Sequence, residues 1–549
     1  MIARDSSAAA GAPGHGIVLA GILVIALVIC LYSIRFGLPA LNDPDELTFE
    51  LGALKMLRGP TLNPGWFGHP ATTTMYVLAL VTAAVFGIGH LLGRFPTVGS
   101  FADAIYADPS WVILPGRIAM AVFALATIYL TYLLARELLG RRTALAAAAL
   151  LAVNPVHVTW SQVIRSDMMA CFFMLLCMLA ALRIARHDRW RDHVLAALWL
   201  GAAIATKWPY AITALALCGV AALRMASHPA DRRRSVLRLA LSGAMALGFL
   251  LLISPYLVLD SRTALGNMRG EAQIRHLGAT GGAPWDNAWW YLSGPVLTGF
   301  GVIGLALAAW GLVMIARRRE ALAVLLPVSL GFSLLLCVQN LVWERWALAL
   351  MPLLAIAGAA GLAALSALVT QRSSPRFAAA AIPAVLALAL LQPGLRAAAD
   401  ARARLNDTRQ LASAWAHRNV AAGSTVLVEH FAFDLQPEPW HFIFPLGDAG
   451  CIDAKAMLHG KVQLHTVEAG KKGRSNVDYG TVAPAMRETC RADYAILTQY
   501  DRYAAERTAF PEQYAAYREM LSRGQIVATF SPEYGKVGGP VTRIIRFPR

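Results

Sequence analysis

The sequence predicts an α-helical polytopic membrane protein with a small α/β domain at its C-terminus. Three observations lead there. Hydrophobic residues fill 57% of the 549 positions and charged residues only 15%, far from the balance of a soluble domain. The apolar residues fall in runs of roughly 18 or more, each long enough to cross a bilayer as a helix. Basic residues gather in short connections between those runs, as the positive-inside rule requires of cytoplasmic loops. The net charge of +16 therefore reports membrane topology and not a nucleic-acid partner.

The first run, Gly16 to Ile34, is too long for a signal-peptide core and no convincing small-x-small site follows it, so it reads as a retained first helix. The dozen residues before it have a disordered composition. Five basic connections follow, at Arg136–Arg142, Arg183–Arg191, Arg224–Arg238, Arg317–Arg319 and Arg372–Arg376. Placing all five in the cytoplasm fixes spans near 115–135, 143–160, 168–183, 193–208, 209–224, 239–259, 295–316, 321–342, 347–369 and 377–395. With the first helix that makes about eleven, with the N-terminus inside. Residues 71–92 are also apolar enough to cross, yet crossing would export every later arginine cluster. The charges predict instead a juxtamembrane segment lying along, or dipping into, the outer face. Ala- and Arg-rich usage fits a bacterial chain, hence the inner membrane.

Two domains are expected: a membrane domain over 1–395 and a periplasmic α/β domain over 396–549. In the tail, Asp407 and Thr408 can cap a helix to Asn419, with Gly423 as its stop. Short β-branched runs follow at Thr425–Glu429, Val462–Val467, Tyr494–Thr498, Ile526–Phe530 and Thr542–Phe547, with a helix around Glu512–Ser522. Five cysteines lie in apolar helices, where they act as small hydrophobes. Cys451 and Cys490 are the pair left in an oxidising compartment, and a disulfide between them is expected.

Chemistry is suggested by charges at the outer ends of separate spans. Asn42-Asp43-Pro44-Asp45-Glu46 puts three carboxylates where the first helix meets water. Arg165 and Asp167 open a helix, Lys207 ends one, and Glu344-Arg345 interrupt another. Each has an ordinary explanation on its own: a capping turn, a rim ion pair, a snorkelling lysine, a local pair. His69 and His157 fit packing or capping roles, and Trp285, Trp289 and Trp290 an interfacial belt. Yet a lone charge at mid-depth costs ~2.5–3.5 kcal/mol on insertion scales. Convergence of acids and bases on one face points to a shared anionic-ligand site.

These residues resemble motifs of the GT-C glycosyltransferases related to protein O-mannosyltransferases and to the aminoarabinose transferases acting on lipid A. Asp45-Glu46 followed by Phe49, Ala53, Met56, Leu57 and Gly59 is similar to their first-loop motif. Gly68-His69-Pro70 resembles the next, with Ala71 replacing a second proline. Gln162, Arg165 and Asp167 resemble the second acidic motif. Thr206-Lys207 resembles a Thr-Lys-Gly turn with Trp208 for glycine, and Glu344-Arg345-Trp346 through Pro352 an Arg-Tyr-Leu-Leu-Pro segment with Trp346 for tyrosine.

The resemblance covers roughly residues 16–370. It implies transfer of a sugar from a polyprenyl-phosphate carrier to a glycan, lipid or protein acceptor on the outer face, with inversion. Asp45 would be the general base, Glu46 a supporting group, and Asp167 an acceptor or metal group. Lys207, Arg165 and Arg345 would hold the donor phosphate, and His69 and Glu344 would line the pocket. No cofactor is certain. A divalent metal ion is open, with Asp45, Asp167 and His69 as candidate ligands but no diagnostic spacing. The rival is a polyprenyl-lipid or solute transporter of the inner membrane, which would favour midplane charges and repeat symmetry; neither is seen.

Overall fold

The computed structural model describes residues 14–59, 61–453, 455–456 and 477–548. The leading dozen residues and the strand expected at Val462–Val467 lie outside the described residues. The chain opens with α1 (Gly14–Tyr32), whose Ile17, Val24, Ile25 and Val28 point outward, as a lipid-facing surface requires. The segment after α1 holds α2 (Pro44–Arg58), α3 (Thr72–Leu91) and α4 (Val98–Ala107). Then come α5 (Ser110–Leu139), α6 (Arg141–Ala152), α7 (Pro155–Ser161), α8 (Ser166–His187) and α9 (Trp190–Thr206). A 3-10 turn, Trp208–Thr213, leads into α10 (Ala214–Ser227) and then α11 (Arg232–Ile253). Short helices α12 (Tyr256–Leu259), α13 (Ser261–Glu271) and α14 (Pro284–Tyr291) precede α15 (Leu297–Ala316), α16 (Arg319–Val338), α17 (Met351–Arg372) and α18 (Pro375–Leu405).

Among the described residues ten helices are long and apolar enough to cross a membrane, or eleven with the bent pair α6–α7 taken as one span. That count includes α3 and leaves out the 17-residue α9. Packing argues for exchanging the two. The start of α3 is tied to the end of α9, where Ala71 donates its backbone N–H to Thr206 (3.0 Å) and Thr73 bonds Thr206 (2.6 Å). Beyond its end, Phe95 meets Trp111 at the start of α5, ring centroids 5.1 Å apart. Both neighbours border the 164–167 corner, because Gly116 abuts Ile164 and Lys207 bonds Asp167. A helix with both ends on one face of the bundle lies against it. The eleven spans that remain are those expected from the arginines.

Small residues let spans approach closely. A methyl group on Gly311 would meet the Ala357 carbonyl at 1.7 Å, and one on Gly361 the Leu307 carbonyl at 2.0 Å, so α15 and α17 touch backbone to backbone. The last span, α18, continues without a break through Arg396 to Leu405.

The C-terminal part begins with α19 (Thr408–Asn419), capped by Asp407, which accepts the Arg409 N–H at 2.9 Å. The helix stops at Asn419, and Gly423, at φ 78°, forms the later turn into the first strand. The strands are β1 (Thr425–Val428), β2 (His441–Pro445), β3 (Cys451–Asp453), β4 (Tyr494–Leu497), β5 (Gln525–Phe530) and β6 (Thr542–Arg546), with α20 (Tyr500–Ala505) and α21 (Pro511–Arg523) between β4 and β5. They form one sheet in the order β3-β2-β1-β4-β6-β5, in which β1 runs parallel to both β2 and β4. β2 and β3 were not legible: one is bracketed by prolines and the other has only three residues, too short for a period-2 pattern. A disulfide joins Cys451 at the start of β3 to Cys490.

The sheet domain is seated on the helices by specific contacts. Asn42 and Gln410 exchange two amide hydrogen bonds, both 2.8 Å, and Arg409 donates to the Asn42 carbonyl at 2.8 Å. From the other side, Leu277 of the α13–α14 connection is buried in the core formed by Leu427, Ala495, Tyr503 and Tyr517.

Candidate active site

Local sequence places each charged group. Asp43 has extended backbone and caps α2, accepting the Asp45 N–H at 3.1 Å, with Pro44 in the first turn. Asp45 and Glu46 then occupy the first turn, where the helix dipole favours anions. Being neighbours on a helix, their side chains diverge. Asp45 turns to the cavity side and is bound by Arg165, which also grips Asp43 at 2.8 Å. Glu46 turns inward. It is fully buried in a bidentate pair with Arg117 (2.6 and 2.8 Å) and accepts the Ile164 N–H at 2.9 Å. Arg117 also donates to the carbonyls of Ile34 and Phe36, both 2.8 Å. Expected as a supporting group, Glu46 fastens α2 to α5 and to the loop carrying Arg165 and does not line the cavity.

Lys207 breaks away from α9 in extended backbone, and a two-residue antiparallel bridge holds it against Pro70. In that bridge the Trp208 N–H donates to the His69 carbonyl at 2.8 Å. The ammonium of Lys207 bonds Asp167 at 2.5 Å. Asp167, 1% exposed, sits behind Lys207 and does not line the cavity, which corrects its assignment to the acceptor or to a metal. Arg345 enters from the turn before α17, stacked over Trp343 at 4.4 Å. Among the described residues it forms no ion pair, and its Nε is buried without a partner. Glu344 faces the other way, toward Asp400 and Arg404 of α18, so its placement in the pocket is also corrected.

His69 gathers the set. Burial drives its pKa well below the usual histidine value, and Lys207, Arg345 and Arg165 push it the same way while Asp45 opposes them. The ring is therefore neutral, and all three cations lie close around it. Its Nδ1 is 3.5 Å from the Ser166 hydroxyl and its Nε2 4.0 Å from Glu271. No group of three His, Cys, Asp or Glu that could hold a metal ion occurs among the described residues. The suggested set of Asp45, Asp167 and His69 is not assembled, because Asp167 is committed to Lys207 and Asp45 to Arg165.

Asp43, Asp45, His69, Arg165, Lys207 and Arg345 form the floor of an open cavity of about 1290 Å³, whose roof is supplied by the sheet domain. Two important groups escaped sequence reasoning. Arg117 had a signal, since it is a lone arginine inside an apolar span, which ordinarily implies a buried acidic partner. Asp43 lay in the marked cluster but was given no role of its own. The arrangement can bind an anion beside a carboxylate held in place by a cation.

Known proteins agree with this architecture. The family model described as dolichyl-phosphate-mannose-protein mannosyltransferase matches residues 101–259. Among curated protein sequences there is no match. The solved structure of ArnT from Cupriavidus metallidurans in the apo state is 15% identical with a TM-score of 0.54, covering 97% of both chains. The same protein bound to undecaprenyl phosphate is 16% identical with a TM-score of 0.50, over 97% of this chain and 98% of that one. The Archaeoglobus fulgidus oligosaccharyltransferase tethered to an acceptor peptide is 11% identical with a TM-score of 0.53, over 96% of this chain and 74% of that one. By this likeness along nearly its whole length, the chain has the GT-C fold of membrane glycosyltransferases.

Proposed function

We propose that this chain is an inner-membrane glycosyltransferase that moves a sugar from a polyprenyl-phosphate donor to an acceptor hydroxyl on the periplasmic face. The observation that carries the reading is the floor: a carboxylate, Asp45, beside three cations, one of which, Arg345, forms no ion pair among the described residues and feels Asp167, Asp45 and Asp43 only at longer range. A buried guanidinium without a carboxylate is costly unless a ligand supplies the charge. The ligand that fits is a phosphate at the bilayer surface, and the undecaprenyl phosphate bound by the ArnT relative supports it. The N-terminus would be cytoplasmic, and the two units, 1–395 and 396–549, would be joined through the single helix α18.

In this reading the acceptor oxygen attacks the anomeric carbon as the bond from that carbon to the phosphate oxygen breaks. The bonding pair leaves on the lipid phosphate, and the hydroxyl proton passes to Asp45. One displacement inverts the anomeric centre. Lys207, Arg345 and Arg165 are preorganised for the charge that grows on the leaving phosphate. His69, neutral and walled by Trp66 and Phe49, offers the sugar or phosphate an uncharged hydrogen-bonding edge.

The test is an Asp45→Asn variant together with a deletion strain. Mass spectrometry of envelope lipids, glycans and proteins from the deletion strain reveals the modification that disappears. Wild-type protein restores it, and Asp45→Asn should restore it ~10²–10⁴-fold less well, the usual range for loss of a positioned base. Full restoration by Asp45→Asn at normal protein levels would refute the assignment.

A further inference from the structure

A second cavity lies at the other end of the helix bundle. α8 begins beside the floor with Ser166 and Asp167 and ends at His187, and α9 starts at Trp190 and returns to Lys207. At 1.5 Å per residue the 22 residues of α8 span roughly 33 Å, close to the thickness of a bilayer's hydrocarbon core. The corner between α8 and α9 therefore sits at the headgroup level of the leaflet opposite the floor. Outward-facing aromatic rings mark the same level: Trp190 at the start of α9 is 47% exposed, and Tyr129 of α5 is 43% exposed.

Between α5, α8 and α9 at this corner is a cavity of about 270 Å³. Leu133, Leu179 and Leu182 give it an apolar wall. Its polar side holds Arg136, Arg183, Arg186, Arg189 and Arg191, with Glu137 and Asp192. Two of these arginines are engaged by protein. Arg186 bridges Glu137 at 2.9 Å and Glu320 of α16 at 2.8 Å, and Arg136 pairs with Glu137 at 3.2 Å beside the Tyr132 ring. Arg183, Arg189 and Arg191 are exposed and form no ion pair among the described residues. With His187 neutral, five arginines against two carboxylates leave the lining with three net positive charges. The positive-inside rule asks only that arginines lie on this side. It does not ask that three unpaired ones surround an apolar-walled cavity between spans.

We infer that this cavity holds the headgroup of an anionic phospholipid, its phosphate among Arg183, Arg189 and Arg191 and its glycerol and first acyl carbons against the three leucines. Basic pockets between spans are the usual seats of such headgroups, and a guanidinium fork suits phosphate oxygens. Free phosphate would use the cations but leave the leucine wall in water. A zwitterionic lipid would bring an ammonium group into an already positive cavity. The site stands a membrane thickness away from Asp45 and Lys207, so it holds whether or not the transferase reading does. A lipid seated there would tie together the far ends of the helices that carry Arg117, Asp167 and Lys207 to the floor.

Native mass spectrometry of the detergent-purified full chain, titrated with dioctanoyl phosphatidylglycerol, tests it. Dioctanoyl phosphatidylcholine and inorganic phosphate serve as separate probes. Wild type should retain phosphatidylglycerol under conditions that strip phosphatidylcholine. At least two of Arg183→Gln, Arg189→Gln and Arg191→Gln should each weaken that binding about fivefold, the equivalent of ~1 kcal/mol per basic residue near the membrane surface. Arg183→Lys, which keeps the charge, should bind nearly as wild type does. Arg345→Met, on the floor, should leave the binding unchanged. Unaltered melting temperatures of the glutamine variants report that the loss is not one of folding. No retention by wild type, equal retention of phosphatidylcholine, or binding weakened by fewer than two of the three variants would overturn the site. So would loss of binding in Arg345→Met, which would put the lipid on the floor, or displacement of the lipid by an equal concentration of inorganic phosphate, which would make the cavity a free-phosphate site.

Discussion

The floor and the roof of the cavity solve opposite problems. On the floor, helix ends at the membrane face carry full charges: Arg165 on Asp43 and Asp45, Lys207 on Asp167, and Arg345 left over. On the roof, strand ends hold carboxylates by backbone N–H groups, as with Glu429, and leave an uncharged imidazole over. A leftover cation favours an anionic ligand, whereas the His430 ring nitrogens are sealed from the cavity and offer a ligand nothing. Which group stays uncommitted therefore says more about the ligand than the total of charges does.

The comparison breaks first if the floor's hidden support is not structural. Glu46→Gln leaves Arg117 buried with its charge uncompensated, and breaking such a pair costs about 3–5 kcal/mol. Yield and thermal stability of the purified protein should fall sharply, whereas Asp45→Asn, at a half-exposed site, should leave both intact. Equal stability losses for the two variants would mean that both carboxylates serve the fold. Next in size is Arg345→Met. Because no protein carboxylate loses its partner, stability should hold while transfer drops by ~10²–10³, the scale of a removed oxyanion donor. A drop in melting temperature with no change in transfer would assign Arg345 to packing.

The same contrast explains what was legible. Charges at span ends are visible in a sequence, because a lysine after Ala205-Thr206 or an acid after Arg165-Ser166 interrupts an apolar run. The spans, the juxtamembrane placement of α3 and the convergence of Asp45, Arg165, Lys207 and Arg345 could be read that way. Direction was not legible. Asp45 and Glu46 are adjacent, and only the phase of α2 decides that one faces the cavity and the other Arg117. Asp167 and Glu344 failed similarly, each turned by one helical step toward Lys207 or toward α18. The roof was almost invisible. His430 is one residue in a short polar segment, and it reaches the cavity because β1 and β4 lie side by side, strands 68 residues apart in sequence by their paired positions Val428 and Ile496, with a β2 that the prolines concealed.

A smaller effect sharpens the roof. Burial raises the Glu429 pKa to about 7 and that of Asp478 to about 6, above the ordinary carboxylate values expected of the unfolded chain. The folded domain thus holds protons that the unfolded chain has released. Their stabilisation is present below the unfolded values of about 4 and is lost as the pH rises through the folded values of about 6 and about 7. Hydrogen exchange of β1 and β4 in the full chain should therefore quicken between pH 5 and 8, beyond the intrinsic base catalysis of exchange, and Glu429→Gln should flatten that extra slope. A slope unaltered in the variant would place the titration elsewhere.

Last and smallest is the seam between the two regions. Gln410→Ala removes both amide hydrogen bonds to Asn42, the residue just before the α2 cap. Each such bond contributes about 1 kcal/mol at most in a half-buried site, so the domain should stay folded and seated by Arg409 and Leu277. If the roof orients the acceptor over Asp45, loosening it should raise the acceptor KM by roughly fivefold, the equivalent of 1 kcal/mol, with kcat nearly unchanged. A fall in kcat at constant KM would mean that the seam acts on the floor directly, through Asn42 and the first turn of α2. Floor and roof would then be one mechanical unit rather than two sites sharing a cavity.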